Sequence, residues 1–143
     1  MNPTPDPPPI SRLLESALYV ADLAQSATFY QRVFGFAPFL ADPRIVALGV
    51  PGGGVLLLFR RGGSAQPSPV PGGLVPGHDG GGTLHVAFAI PAAALDGWER
   101  HLAALGIAVE SRITWPAGGA SLYFRDPDGH SVEVATPGLW PNY

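Results

Sequence analysis

Apolar and polar positions alternate with two different periods along this chain, and the periods change twice in the same order. Residues 14–20 (LESALYV) read as a strand. Asp22 follows as an N-cap, with Gln25 three residues on as its capping-box partner. Leu23, Ala27, Tyr30, Val33 and Phe34 then recur at helical spacing, and Gly35 supplies a left-handed stop. Strand-like runs come next at 36–40, 44–48 and 55–60, the last two joined across Pro51-Gly52-Gly53-Gly54. A second series has the same layout: a strand at 84–90, then a helix opened by Pro91 with the apolar stripe Leu95, Trp98, Leu102 and Leu105, stopped at Gly106. Strands at 107–112, 120–125 and 131–135 complete it, the last two joined by Asp126-Pro127-Asp128-Gly129. Pro51 and Pro127 are 76 positions apart, as are Gly53 and Gly129. This is one βαβββ unit written twice, which predicts an α+β protein.

Between the copies, residues 62–83 show no periodic pattern and are read as a linker or lid. The expected division is a Pro-rich N-terminal tail at 1–11, one domain at 12–143 with module one at about 12–61 and module two at about 84–137, and a C-terminal tail at 138–143. Gly and Pro number 19 and 17 of 143 residues, a fraction that borders on low-complexity composition. The 46% hydrophobic content and 13% charged content argue against disorder, and the surplus Gly and Pro gather in the N-terminal tail and the linker. Those two segments are expected to be mobile or partner-dependent.

The chain has no Cys and no Lys, and all eight basic residues are Arg. Disulfides, thiolate metal sites, cysteine nucleophiles and Schiff-base catalysis are thereby excluded. A net charge of −3 and scattered Arg give no nucleic-acid stripe, and no apolar run reaches membrane-spanning length. A cytoplasmic protein without nucleic-acid or membrane partners is the expectation. The chemistry left is that of carboxylates, four His, four Tyr, hydroxyls and a metal.

Strand alternation decides which side chains point together. Glu15, Ala17 and Tyr19 share a face; so do His85, Ala87 and Ala89; so do Ser131, Glu133 and Ala135; and so do Ser121, Tyr123 and Arg125. In a sheet curled into a trough these faces line a cavity. Glu15 and His85, 70 apart, occupy the same place in the two units, and Glu133 has its counterpart at Leu57, 76 earlier. Two carboxylates and an imidazole facing one cavity can bind a divalent cation, although a solvated strand face gives the same pattern. Tyr123 and Arg125, beside Glu133, are candidates for orienting a substrate. His78 lies in the linker as a potential lid group, Trp115 and Trp140 are potential pocket walls, His130 reads as a structural turn residue, and His101 as part of a solvated helix face.

The opening LESALYVADLAQSATFYQRVFGF, the strand GGTLHVAFAI and the ending LYFRDPDGHSVEVATPG resemble the vicinal oxygen chelate superfamily, over about residues 12–140. That group includes glyoxalase I, fosfomycin-resistance proteins, bleomycin-binding proteins and extradiol dioxygenases. The resemblance implies paired βαβββ modules forming an open curled sheet, or half-barrel, around a central cavity. It also implies metal ligands from the first and last strands of each module, positions that read Glu15, Leu57, His85 and Glu133 here. The first-strand ligand is usually His, and Leu57 cannot ligate, so three ligands remain: Glu15, His85 and Glu133. This layout resembles the fosfomycin-resistance and extradiol sites more than glyoxalase I, though both are richer in His.

The resemblance implies a small metal-dependent lyase, isomerase, transferase or dioxygenase. A divalent Mn, Fe, Ni, Zn or Mg ion would act on an oxygen-bearing substrate, with Glu15 or Glu133 as general base. The alternative from another class is a non-catalytic module that sequesters a small molecule, which the apolar wall of Val55, Leu57 and Phe59 suits. Relatives are often homodimers, and a homodimer is expected.

Overall fold

The computed structural model describes residues 2–143. Two mixed four-stranded sheets, each carrying one helix, bear out the α+β expectation and the duplication; neither sheet closes into a barrel. Module one comprises β1 (Glu15–Val20), α1 (Leu23–Phe34), β2 (Ala37–Ala41), β3 (Ile45–Val50) and β4 (Gly54–Arg60). Its sheet runs β1-β4-β3-β2, with β1 and β4 parallel. After the linker come β7 (His85–Ala89), α2 (Leu95–Ala104), β8 (Ser111–Thr114), β9 (Ala120–Arg125) and β10 (Ser131–Ala135). This second sheet has the same order, β7-β10-β9-β8, with β7 and β10 parallel.

Helix α1 begins and ends where its sequence dictates. The Asp22 carboxylate accepts a 3.0 Å hydrogen bond from the Gln25 amide, and Gly35, at φ 70°, donates its amide to the Gln31 carbonyl. The start of the second helical segment is less simple: Pro91 leads into a 3-10 turn (Ala92–Ala94) before α2, and no side chain caps it. The first strand after α2 starts later than residue 107. Gly106 turns back at φ 70°, the Ile107 amide is drawn to the Leu102 carbonyl, and the chain joins the sheet only after Glu110 bonds Tyr123. Strand β2 is displaced by a bulge between Pro38 and Leu40.

The linker does not lack structure. It carries a hairpin of β5 (Ser68–Val70) and β6 (Gly73–Val75), and it is tied to module one by bonds from Arg44 to Ser68 and between Tyr19 and His78. Clustered Gly and Pro concealed this hairpin, because its strands are only three residues long and Pro69 sits in one of them. The C-terminal tail is anchored too, the Tyr143 hydroxyl donating to the Ile90 carbonyl at 2.7 Å. Residues 2–14 form no element and are exposed.

One core serves both modules. Leu18, Val20, Val46, Leu48, Leu56 and Leu58 of the first sheet cluster with Leu122, Phe124, Val132 and Val134 of the second, with Tyr30, Val33 and Leu102 of the helices among them. Phe34, the last residue of α1, packs on Phe88, Trp98 and Phe124 of module two. Both helices therefore sit in the shared interior. The opposite faces of the two sheets, carrying Glu15 and His85 respectively, turn away from that interior.

The β9–β10 turn fastens the modules together. Asp128 accepts from the Ala21 amide at 2.8 Å and from the Ser26 hydroxyl at 3.1 Å, and Asp126 accepts from the Tyr30 hydroxyl at 2.8 Å. His130, fully buried, accepts at Nδ1 from the Leu84 amide and donates from Nε2 to the Tyr19 carbonyl. It is a structural turn residue, as its sequence context suggests. His101 is exposed, as expected of a solvated face, and also donates to the Val33 carbonyl at the end of α1.

Candidate metal centre and trough

Parallel pairing of β7 and β10 sets His85 opposite Ser131, and Ala87 opposite Glu133. The small side chain of Ala87 leaves His85 and Glu133 to meet diagonally, with Nε2 of the imidazole 3.3 Å from Oε1 of the carboxylate. The other atoms of both groups are occupied. His85 Nδ1 lies 2.9 Å from the Ser131 carbonyl, which can only accept, so Nδ1 carries a proton. Glu133, buried to 4% exposure, accepts at Oε2 from the Ser121 hydroxyl at 2.5 Å, and Ser121 in turn accepts from the Trp115 indole at 2.8 Å. In the neutral ring, two lone pairs therefore face one another with no proton between them. A divalent cation fits that donor set, and the outer hydrogen bonds are those that orient ligating His and carboxylate groups.

Tyr123 stacks beside His85 with ring centroids 6.2 Å apart. Partial burial and the neighbouring Glu133 carboxylate raise its pKa, so the phenol stays protonated and can donate. Arg125, a candidate for orienting substrate, is held by Glu110 through two bonds at 2.6 and 3.2 Å and donates to the Gly129 carbonyl. That pairing lowers the Glu110 pKa and raises that of Arg125. Trp115 was a candidate wall and acts instead through Ser121; Trp140 is exposed.

Glu15 is elsewhere. It stands on the outward face of module one, exposed, and no three His, Asp or Glu side chains among the described residues are close enough together to hold a metal. Within one chain the structure brings His85, Glu133 and Tyr123 together and leaves Glu15 apart from them.

Glu15 lies instead at one end of a cavity of about 660 Å³ between the first sheet and the linker. Register arranges the sheet beneath it in three rungs: Glu15–Val55–Gly49, then Ala17–Leu57–Ala47, then Tyr19–Phe59–Ile45. Of these, Glu15, Ala17, Leu57, Tyr19, Phe59 and Ile45 line the cavity. The exposed Phe39 ring folds across Gly49 at the first rung, and a Cβ there would push that ring aside. His78 covers the third rung, its Nδ1 2.6 Å from the Tyr19 hydroxyl and its ring 4.5 Å from that of Phe59. Sequence alternation found the Ser121 face but not its bond to Glu133. The linker's part in the cavity had only one signal, a lone His within a Gly-rich stretch.

Two tandem βαβββ sheets, with an imidazole–carboxylate pair on the outer face of the second module, define the class of fold. A family model described as the Glyoxalase/Bleomycin resistance protein/Dioxygenase superfamily matches residues 12–134, and the chain belongs to that family. It is 30% identical over 118 residues, 82% of this chain and 70% of the relative, to the metallothiol transferase FosB of Bacillus licheniformis. A crystal structure of lactoylglutathione lyase from Agrobacterium tumefaciens superposes with a TM-score of 0.85 at 37% identity, covering 94% of this chain and 99% of that one. The genomically encoded fosfomycin resistance protein FosX from Listeria monocytogenes shares the fold, with a TM-score of 0.66 at 24% identity over 91% of this chain and 96% of its own. No helix among the described residues is long and apolar enough to cross a membrane.

Proposed function

We propose that the protein is a metal-dependent enzyme acting on a small oxygen-bearing substrate, and that its site is completed between two copies of the chain. The observation that carries this reading is the His85–Glu133 pair, whose facing lone pairs are oriented from behind by Ser131 and by Ser121 with Trp115. Glu15 of a second copy supplies the third ligand. Its charge with that of Glu133 balances a divalent ion, and both faces involved point outward, so one module's trough can close over the other's. When bound, the ion supplies Lewis-acid stabilisation of a developing oxyanion or enolate.

This chain's own residues divide the remaining work. Glu133, buried and tied to Ser121, is a fixed ligand. Glu15, exposed and with no side-chain hydrogen bond among the described residues, is the carboxylate that would be free to take a proton from the substrate. Tyr123 donates to a substrate oxygen from beside His85. The apolar middle rung, through Ala17 and Leu57, excludes water from the organic part of the substrate. The same apolar floor favours a second reading, a sequestering protein that holds its ligand without reaction.

Elemental analysis of protein purified without chelator tests the first reading. About one divalent ion per chain is expected, falling to none in His85→Ala. Unchanged metal content in that variant would sink it, and a metal-free wild-type protein would favour the sequestering module. Mixing unfolded and refolded Glu15→Ala and His85→Ala chains tests the shared site. Half the dimers are mixed and each regains one of two sites, so about a quarter of wild-type metal content should return. No recovery would place the whole site within one chain.

A further inference from the structure

The far end of the module-one cavity carries unspent hydrogen-bonding capacity. His78 uses its amide on the Ser64 carbonyl and Nδ1 on the Tyr19 hydroxyl, which leaves Nε2 without a partner among the described residues. When Tyr19 donates to Nδ1, Nε2 must carry the proton and is a donor. The Ser64 hydroxyl is buried, lines the same cavity and has no hydrogen-bond partner among the described residues. Unpaired buried hydroxyls are rare because each forfeits its hydration, so one on a cavity wall is evidence of something that pairs with it. Arg44 lies beside Ile45 of the third rung and also lines the cavity, one guanidinium nitrogen held at 2.8 Å by Ser68. Asp42 also lines the cavity and accepts from the Arg44 and Ile45 amides at Oδ1, so Arg44 offsets its charge there.

Donors thus gather at the third rung, a carboxylate stands at the first, and small or apolar side chains lie between them. Tyr19 follows Glu15 by four residues on one strand, so the two ends are roughly 13 Å apart.

We infer that His78 and Ser64 form a specificity subsite for a carboxylate, and that the ligand is an elongated organic acid with an apolar middle whose other end lies toward Glu15. The inference rests on the proposed function for the identity of the near end only. Tyr19 positions the imidazole from behind, and the Phe59 ring holds it edge-on. Gly80 permits this closure, since a Cβ there would strike the Tyr19 ring. The linker thereby becomes part of the recognition surface, placed by its hairpin.

Two chelating probes of equal chain length provide the test: octanohydroxamate, and the monohydroxamate of suberic acid, which adds a far-end carboxylate. Calorimetry on zinc-loaded protein should show the acid binding about tenfold tighter, as one charge-assisted hydrogen bond implies. The preference should vanish in His78→Ala, be partly kept in His78→Gln, which retains a donor, and fall in Ser64→Ala, whose near-isosteric change spares the packing. Equal binding of both probes by the wild-type protein, or a preference that survives both alanine variants, overturns the inference. Failure of the metal reading looks different, because zinc then does not bind and neither hydroxamate is held. The subsite is in that case read on the metal-free protein from the His78 ring resonances. A shift with hexanoate but not with hexanamide sustains it, and no shift with either overturns it.

Discussion

Modules one and two share a strand order, a parallel first-to-last pairing and a helix on the same face, yet their outward faces differ at matched positions. Glu15 and Val55 in the first correspond to His85 and Ser131 in the second; Leu57 corresponds to Glu133; Tyr19 and Phe59 correspond to Ala89 and Ala135. Module two therefore pairs an imidazole with a buried carboxylate, sets Tyr123 beside them and keeps only its far rung, Ala89 and Ala135, small. Module one has one exposed carboxylate and fills its far rung with aromatic rings. A duplicated scaffold fixes where side chains point, and a few substitutions then decide that one copy suits an ion while the other suits the organic body of a ligand. On the proposed function, the two unlike faces meet across a pair of chains.

The largest expected effect follows from the Leu57–Glu133 difference. Glu133→Leu, which makes module two match module one, should reduce bound metal from about one ion per chain to none. Adding Leu57→Glu to that variant should not restore it, because position 57 has no imidazole diagonal to it and no Ser121–Trp115 pair behind it. Elemental analysis of the three proteins decides the matter. Metal retained in the double variant would mean that the faces are interchangeable and that the supporting hydrogen bonds are incidental.

The hairpin turns differ as much as the faces. Module two's turn sends Asp126, Asp128 and His130 into module one, whereas the turn at Pro51–Gly54 receives, among the described residues, one side-chain bond, from Arg12 to the Gly53 carbonyl. Asp126 accepts from Tyr30, from the His130 amide and from the Asp128 amide inside the protein. Asp126→Ala should cost about 3 kcal/mol in denaturant unfolding, since it strands two buried donors and a half-buried one. A loss under 1 kcal/mol would show that the turn does not hold the modules together.

Tyr30→Phe removes one bond from that set and should cost about 1.5 kcal/mol near neutral pH. Its pH dependence carries a sign. Burial, then the charge of Asp126, raises the phenol pKa in the folded state above its ordinary value. The unfolded chain therefore loses this proton first, and the phenol's contribution is full below about pH 10 and falls as pH rises beyond it. Tyr30→Phe should flatten that alkaline decline relative to wild type, and equal slopes would assign it to other groups.

Period and punctuation made most of this architecture legible. Asp22 and Gly35 bounded α1 because capping is local, and the 76-residue offset aligned Leu57 with Glu133. The outward faces were legible too, since alternation of period two needs only correct strands. Three things were not. The hairpin at Ser68–Val70 and Gly73–Val75 is held by a tertiary bond from Arg44, with too few residues for a pattern. The hold of Glu110 on Arg125 joins a residue just before β8 to one on β9, which no spacing rule connects. The separation of Glu15 from His85 follows from how two sheets share a core. Sequence matching shows that two positions are equivalent, and equivalence under a repeat is not proximity.

The smallest effect concerns what the two turns still have in common. Gly53 and Gly129 are repeat-related and adopt φ of 91° and 81°. The backbone requirement is the same, so alanine at either should cost about 1–2 kcal/mol for entering left-handed space. Surroundings add little on either side. A Cβ at 53 would meet only the flexible Arg12 guanidinium, and one at 129 would make ordinary contact with the Thr83 methyl at 3.5 Å. Gly53→Ala and Gly129→Ala should thus agree within about 0.5 kcal/mol in denaturant unfolding, even though one turn is a clamp and the other is nearly free. A much larger cost at Gly129 would mean that backbone strain there spreads into Asp126, Asp128 and His130. The turn geometry and the clamp would then be one coupled unit rather than an inherited turn with side chains added to it.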